Sequence, residues 1–103
     1  MAVDLGADGV RVNAICPGWV ATEMSDREVE DLAAALDTSI DDARLRLVEH
    51  LPLARMGEPS EIAAAIAFLA GRDASFVTGT TLVADGGGGA VDVGTLAFKD
   101  LPE

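Results

Sequence analysis

Three groups of residues have the types and spacing to take part in chemistry. The first is Pro17-Gly18-Trp19-Val20-Ala21-Thr22, which follows a run in which Val10, Val12, Ala14 and Cys16 alternate with Arg11, Asn13 and Ile15. That alternation predicts a strand over 10–16. Proline cannot donate to a ladder and glycine reaches positive φ, so Pro17-Gly18 ends the strand abruptly at the carboxyl edge of its sheet. In open α/β sheets, that edge is where ligands bind. The second group, Asp85 with Gly86 to Gly89, has the glycine density of a phosphate loop, but no lysine or helix signal follows at the required spacing. It reads as a flexible strand exit in which Asp85 bonds neighbouring backbone. The third is Cys16 and His50, each the sole residue of its kind, too few to hold a transition metal. Cys16 has no basic neighbour and reads as a small buried hydrophobe. His50, near a helix carboxyl end, reads as a solvated or capping residue.

Charge narrows the partners. Eighteen acidic residues against seven basic ones give a formal charge of −11 over 103 residues, which repels nucleic-acid phosphates and anionic lipid surfaces. No apolar run approaches the ~18 residues of a membrane span, and the amino terminus has neither a basic flank nor a signal core. One cysteine makes no internal disulfide, so a cytoplasmic location is expected. Tyrosine is absent and Lys99 is the only lysine.

The elements that must position these groups follow from pattern. Residues 1–6 resemble the last turn of a helix, with Gly6 suited to a left-handed cap. Ser25 with Glu28 forms a capping-box pattern ahead of Val29, Leu32, Ala33 and Leu36, and Ser39 with Asp42 repeats it ahead of Ile40, Ala43, Leu47, Val48 and Leu51. Two amphipathic helices follow, ended at Pro52. Glu58-Pro59 opens the clearest helix, to Ala70, with Gly71 as its stop and an apolar face broad enough to predict burial on more than one side. Ser75 and Thr78 read as turn formers, 80–84 as a second strand, and 90–103 as an extended tail. Two strands joined through helices make one βαβ crossover, which leaves apolar helix faces and a strand edge without partners.

Four motifs in order then carry a resemblance: R-V-N-A-I-C-P-G-W-V-A-T at 11–22, P-L-A-R-M-G-E-P-S-E-I-A at 52–63, F-L-A at 68–70 with D-A-S-F-V-T-G at 73–79, and L-V-A-D-G-G at 82–87. Together they resemble the carboxyl-terminal part of the short-chain dehydrogenase/reductase family, over residues 1–87. The resemblance implies the last two strands of a Rossmann-type doubly wound parallel α/β sheet, with residues 23–57 as a substrate-binding lid and 88–103 as a glycine-rich exit and tail. It implies NAD or NADP as cofactor, with Pro17, Gly18 and Val20 against the nicotinamide end, Val20's main chain meeting the carboxamide and Thr22's hydroxyl reaching a phosphate. Trp19 and Met24 are the candidate substrate-lid residues, Trp19 equally suited to packing, Met24 and Met56 better suited to filling gaps in the core.

The family's glycine-rich loop, catalytic serine and tyrosine-x-x-x-lysine pair have no counterpart here, so no catalytic residue is assigned. The expectation is a fragment or truncated reading frame of an oxidoreductase for small alcohols and carbonyls, inactive alone, whose parent is a homo-oligomer. The alternative is a non-catalytic piece that docks on an intact relative through the 59–70 helix.

Overall fold

A computed structural model describes residues 1–98; the last five, Lys99 and the end of the tail among them, lie outside the described residues. Helix α1 (Ala2–Leu5) leads through a 3-10 turn to strand β1 (Ala14–Pro17). Helices α2 (Glu23–Leu36), α3 (Ile40–Val48) and α4 (Pro59–Ala70) follow, and then strand β2 (Thr81–Ala84). β1 and β2 pair in parallel, from Ala14 opposite Thr81 to Pro17 opposite Ala84. The result is an α/β unit built on one βαβ crossover.

Strand β1 is shorter than its alternation predicts, because β2 gives it a partner only from Thr81. Residues 10–13 are held by other means. The Val12 N–H donates to Thr78 Oγ1 at 3.1 Å, so Thr78 braces the approach to β1 rather than forming a local turn, whereas Ser75 does lie in one. Asn13 spans the entry to the sheet, donating through Nδ2 to the Val77 carbonyl at 2.9 Å and accepting from the Thr80 N–H through Oδ1 at 3.1 Å. The Arg11 guanidinium donates to the carbonyls of Leu69 and Gly71 at the carboxyl end of α4, where unpaired carbonyls and the helix dipole both favour a cation, and to the Val77 carbonyl further along the chain.

Strand β1 also runs one residue further than expected, through Pro17. The Ala14 N–H donates to the Thr80 carbonyl and the Gly18 N–H to the Ala84 carbonyl, both at 3.0 Å. Even-numbered residues therefore bond β2, and the N–H that Pro17 lacks falls on the free edge, where proline is tolerated.

Three helix boundaries move for local reasons. Helix α3 closes at Val48, ahead of Pro52, with the Leu51 N–H turning onto the Val48 carbonyl at 3.0 Å. The left-handed residue after α1 is Gly9, with φ 74°, while Gly6 is right-handed at φ −59°. Helix α2 starts at Glu23 because Thr22 is its cap. The Ser25 N–H donates to Thr22 Oγ1 at 3.2 Å and the Thr22 N–H to Ser25 Oγ at 2.9 Å. The box joins Thr22 and Ser25 rather than Ser25 and Glu28. α3 is capped as expected, Ser39 Oγ accepting from the Asp42 N–H at 3.1 Å.

The small core sits between α2 and α3: Val29, Ala33 and Ala43 are buried, with Leu32, Leu47 and Met56 packed on them. Helix α4 buries none of its residues, and Ile66 and Phe68 are about half exposed, at 50% and 47%. Its breadth of apolar surface has no second layer to meet. Cys16 is likewise exposed, not buried. Odd-numbered Ile15 shares a cleft with Ile66 and Leu69 of α4, so alternation turns Cys16 to the uncovered face. Beyond β2, the chain makes 3-10 turns at Gly88–Ala90 and Val93–Phe98, so the described part of the tail is not extended. No described helix is long and apolar enough to cross a membrane.

Candidate functional site

Gly18 is where the backbone of β1 comes against the exit of β2. A Cβ at Gly18 would lie 2.8 Å from the Asp85 Cβ and 2.9 Å from its Cα, so no side chain fits there without displacing backbone. After Gly18 the chain pairs again, with a different partner. The Gly57 N–H donates to the Trp19 carbonyl and the Ala21 N–H to the Gly57 carbonyl, both at 2.9 Å, in a parallel bridge between Val20 and Gly57. The second motif thus lies beside the first. In such a bridge the flanking residues do the bonding, which turns Val20's own N–H and C=O away from Gly57. Neither has a partner among the described residues.

Pro17, Gly18, Trp19, Val20, Thr22 and Met24, with Ser25 and Glu28, line one open cleft of about 430 Å³ at the carboxyl end of β1. Thr22 Oγ1 accepts the helix-capping bond, and its hydroxyl proton remains available to an acceptor in the cleft. Met24 is 69% exposed at the rim, which does not fit the expected core filler; Met56 does take that place. Trp19 is half-buried and shared with a neighbouring cleft that also includes Leu53, Arg55, Glu61 and Asp85.

That second cleft holds the strongest electrostatics. Arg55 grips Glu61 through two parallel bonds of 2.7 and 3.0 Å, and Glu61 Oε1 also accepts from the Glu58 N–H at 3.0 Å. The Arg55 hydrogen bonds, and then the Glu58 N–H, pull the Glu61 pKa down to about 2. Arg55 is raised in turn by the same carboxylate. Asp85 accepts from the Gly87 N–H through Oδ1 at 2.9 Å and from the Gly89 N–H through Oδ2 at 2.7 Å. Those amides, Gly89's first, hold its carboxyl below the usual range.

The sequence reading assembles the six candidate residues of the first cleft but misses what braces them. Arg11 and Asn13 reach backbone groups far away in sequence, and the Arg55–Glu61 pair spans the junction between a loop and the first turn of α4, where periodicity carries no signal. The Gly86 to Gly89 run is a strand exit, as expected, yet packing explains it better than flexibility: a Cβ at Gly87, whose φ is 94°, would lie 2.7 Å from Pro52 Cγ. His50 is exposed, with Nε2 3.5 Å from Glu49 Oε1. Among the described residues no group of three or more histidine, cysteine or acidic side chains could hold a metal ion.

With this geometry in place, comparison with known proteins is decisive. A family profile described as enoyl-(acyl carrier protein) reductase matches residues 1–88. The chain belongs to the short-chain dehydrogenase/reductase family. It corresponds to the carboxyl-terminal portion of that fold. It is 50% identical over 98 residues to Protein MoaE of Klebsiella aerogenes, covering 95% of this chain and 38% of that protein. It is 40% identical over 92 residues to meso-2,3-butanediol dehydrogenase of Serratia marcescens, covering 89% and 32%. The L-sorbose reductase of Gluconobacter frateurii, solved with NADPH and L-sorbose, superposes with a TM-score of 0.75 at 27% identity, covering 82% of this chain and 33% of that one. The short-chain dehydrogenase/reductase segment seen here thus spans about a third of the length of such relatives.

Proposed function

We propose that this chain supplies the nicotinamide-side wall and the substrate lid of an NAD(P)-dependent short-chain oxidoreductase that interconverts small alcohols and carbonyls. The observation that carries the reading is that Pro17, Gly18, Trp19, Val20, Thr22 and Met24 line a single cleft at the carboxyl edge of β1. The residues suit the cofactor. Val20 turns one donor and one acceptor of the same residue away from Gly57, a pair complementary to a primary carboxamide. Thr22 has a hydroxyl proton for a phosphate oxygen, at a helix amino end that favours anions. A nicotinamide dinucleotide, when bound, supplies the hydride chemistry; the chain's own residues orient its ring and close one side.

Residues 1–87 serve as the Rossmann-type portion, 23–57 as the lid hung over the cleft by α2 and α3, and 88–103 as the exit. Trp19 and Met24 line the substrate side. Proton transfer to a carbonyl oxygen needs an acid whose pKa suits the task, and no tyrosine is present to be one. The chain alone is therefore inactive, and the alcohol or ketone reacts only where a second segment brings the acid and the rest of the dinucleotide site. The composition supports a cytoplasmic setting, and the exposed α4 face supports a homo-oligomeric parent.

The test mixes the 103-residue chain with NADH or NADPH and a panel of ketones and sugars. No turnover and no tight binding are expected; measurable hydride transfer by the chain alone overturns the reading. The alternative, a non-catalytic piece that docks on an intact relative, draws on the same half-exposed Ile66 and Phe68. Co-elution with a full-length relative in size-exclusion chromatography, without change in that relative's activity, favours it. Separate elution counts against it.

A further inference from the structure

We infer that Asp85 is a positioning residue: its carboxylate holds a glycine turn that seats both the nicotinamide-side wall and the exit of the helical insert, setting one against the other. Three sets of contacts converge there. Gly18 of the wall presses on Asp85, where a Cβ would come within 2.8 Å, and its N–H is tied to the preceding Ala84 carbonyl. Asp85 in turn draws in the Gly87 and Gly89 amides, at 2.9 and 2.7 Å. The turn so formed receives the insert: the Leu53 N–H donates to the Gly86 carbonyl at 3.1 Å, and Cβ atoms at Gly87 and Gly88 would come within 2.7 Å of Pro52 and 2.9 Å of Leu51.

The chemistry suits the task. The turn has backbone bonds of its own, the Gly88 N–H to the Asp85 carbonyl at 3.3 Å and the Ala90 N–H to the Gly87 carbonyl at 3.0 Å, and one carboxylate accepting two further amides adds charge-assisted bonds from the side. Without the carboxylate, the four-glycine run has the conformational freedom to drift, and Gly18 and Leu53 lose a common reference. The bearing of this on a bound nicotinamide rests on the function proposed above. The test below contains no dinucleotide, so failure of either idea leaves the other standing.

The test is residue-resolved amide exchange on the full 103-residue chain, with fluorescence of Trp19, the only tryptophan, as a second reading of the wall. In Asp85→Ala, exchange at Gly18 and Leu53 accelerates together with that at Gly87 and Gly89, by about tenfold or more, the size expected on losing bonds to a charged acceptor. Val29 and Ala33 of α2 keep their rates, and Trp19 emission shifts. Asp85→Asn, which retains one acceptor oxygen, restores part of the protection at Gly18 and Leu53. Acceleration confined to Gly87 and Gly89, or spread equally to Val29 and Ala33, overturns the proposal. Should Asp85→Ala not fold, Gly18→Ala decides: its Cβ drives into Asp85, so faster exchange at Gly87, Gly89 and Leu53 is expected, and unchanged rates there overturn the proposal.

Discussion

Pro17 sits where a missing N–H faces the free edge of the sheet, and Gly18 sits where any side chain would strike Asp85. The two residues thus have different reasons for being where they are. Substituting Gly18 by alanine should destabilise by about 1–3 kcal/mol, the usual cost of forcing atoms into filled space, read from urea denaturation. The Asn13→Ala change removes two bonds that set the entry of both strands and should cost about 1–3 kcal/mol in the same measurement. Asn13 was not legible as a brace, because its partners lie 64 and 67 residues away. The Glu61 carboxyl makes a prediction in pH. Its pKa falls from 4.5 to about 2, so the Arg55 clamp is fully formed above the ordinary value and is lost as pH falls through the lowered one. A carboxyl NMR titration should find Glu61 still ionised at pH values where most side-chain carboxylates have protonated. An ordinary Glu61 midpoint would count against the clamp.

At the scale of elements, Thr22 has two claims on one hydroxyl: its oxygen caps α2 and its proton is offered to the cleft. Thr22→Ala should reduce α2 stability by about 1 kcal/mol, seen as lost helicity. Thr22→Asn, a strong cap, should keep the helicity while placing an amide where the hydroxyl faced the cleft. Helicity retained in both would mean that the cap contributes little. Helices α2, α3 and α4 were legible because each announces itself locally, by a small polar cap, a proline at the first turn or a glycine stop. Even so, pattern alone places the box of α2 three residues late, since Ser25 and Glu28 match it as well as Thr22 and Ser25 do. Alternation starts β1 too early for the opposite reason: a strand is bounded by its partner, and the pattern along one chain does not say where β2 begins.

The whole molecule is far from a packed sphere. Its radius of gyration is 17.8 Å, against about 13 Å for a compact domain of this length. Among the described residues five hydrophobic ones are buried, while Ile66, Phe68, Phe76 and Val83 are all about half exposed or more. Ile66, Phe68 and Val83 belong to α4 and β2, elements that in a doubly wound sheet have a further layer or strand against them. The isolated chain should bind a hydrophobic dye and associate with rising concentration, followed by light scattering. A dye-silent monomer at all concentrations would contradict this. Ordered motifs made the architecture legible from the sequence, and the count of two strands made the uncovered face of α4 legible with it, whereas the exposure of Cys16 followed only from which face of β1 the helices cover.

That residues 1–88 supply a working nicotinamide-side wall is a proposal that a single chimera can decide. In it, these residues replace the matching segment of the Serratia marcescens meso-2,3-butanediol dehydrogenase. Oxidation of meso-2,3-butanediol by that chimera, with production of NADH or NADPH followed by absorbance, should proceed, and fall when Gly18 is changed to valine. A chimera that folds with the melting profile of that dehydrogenase yet neither binds the dinucleotide nor turns over would rule this out.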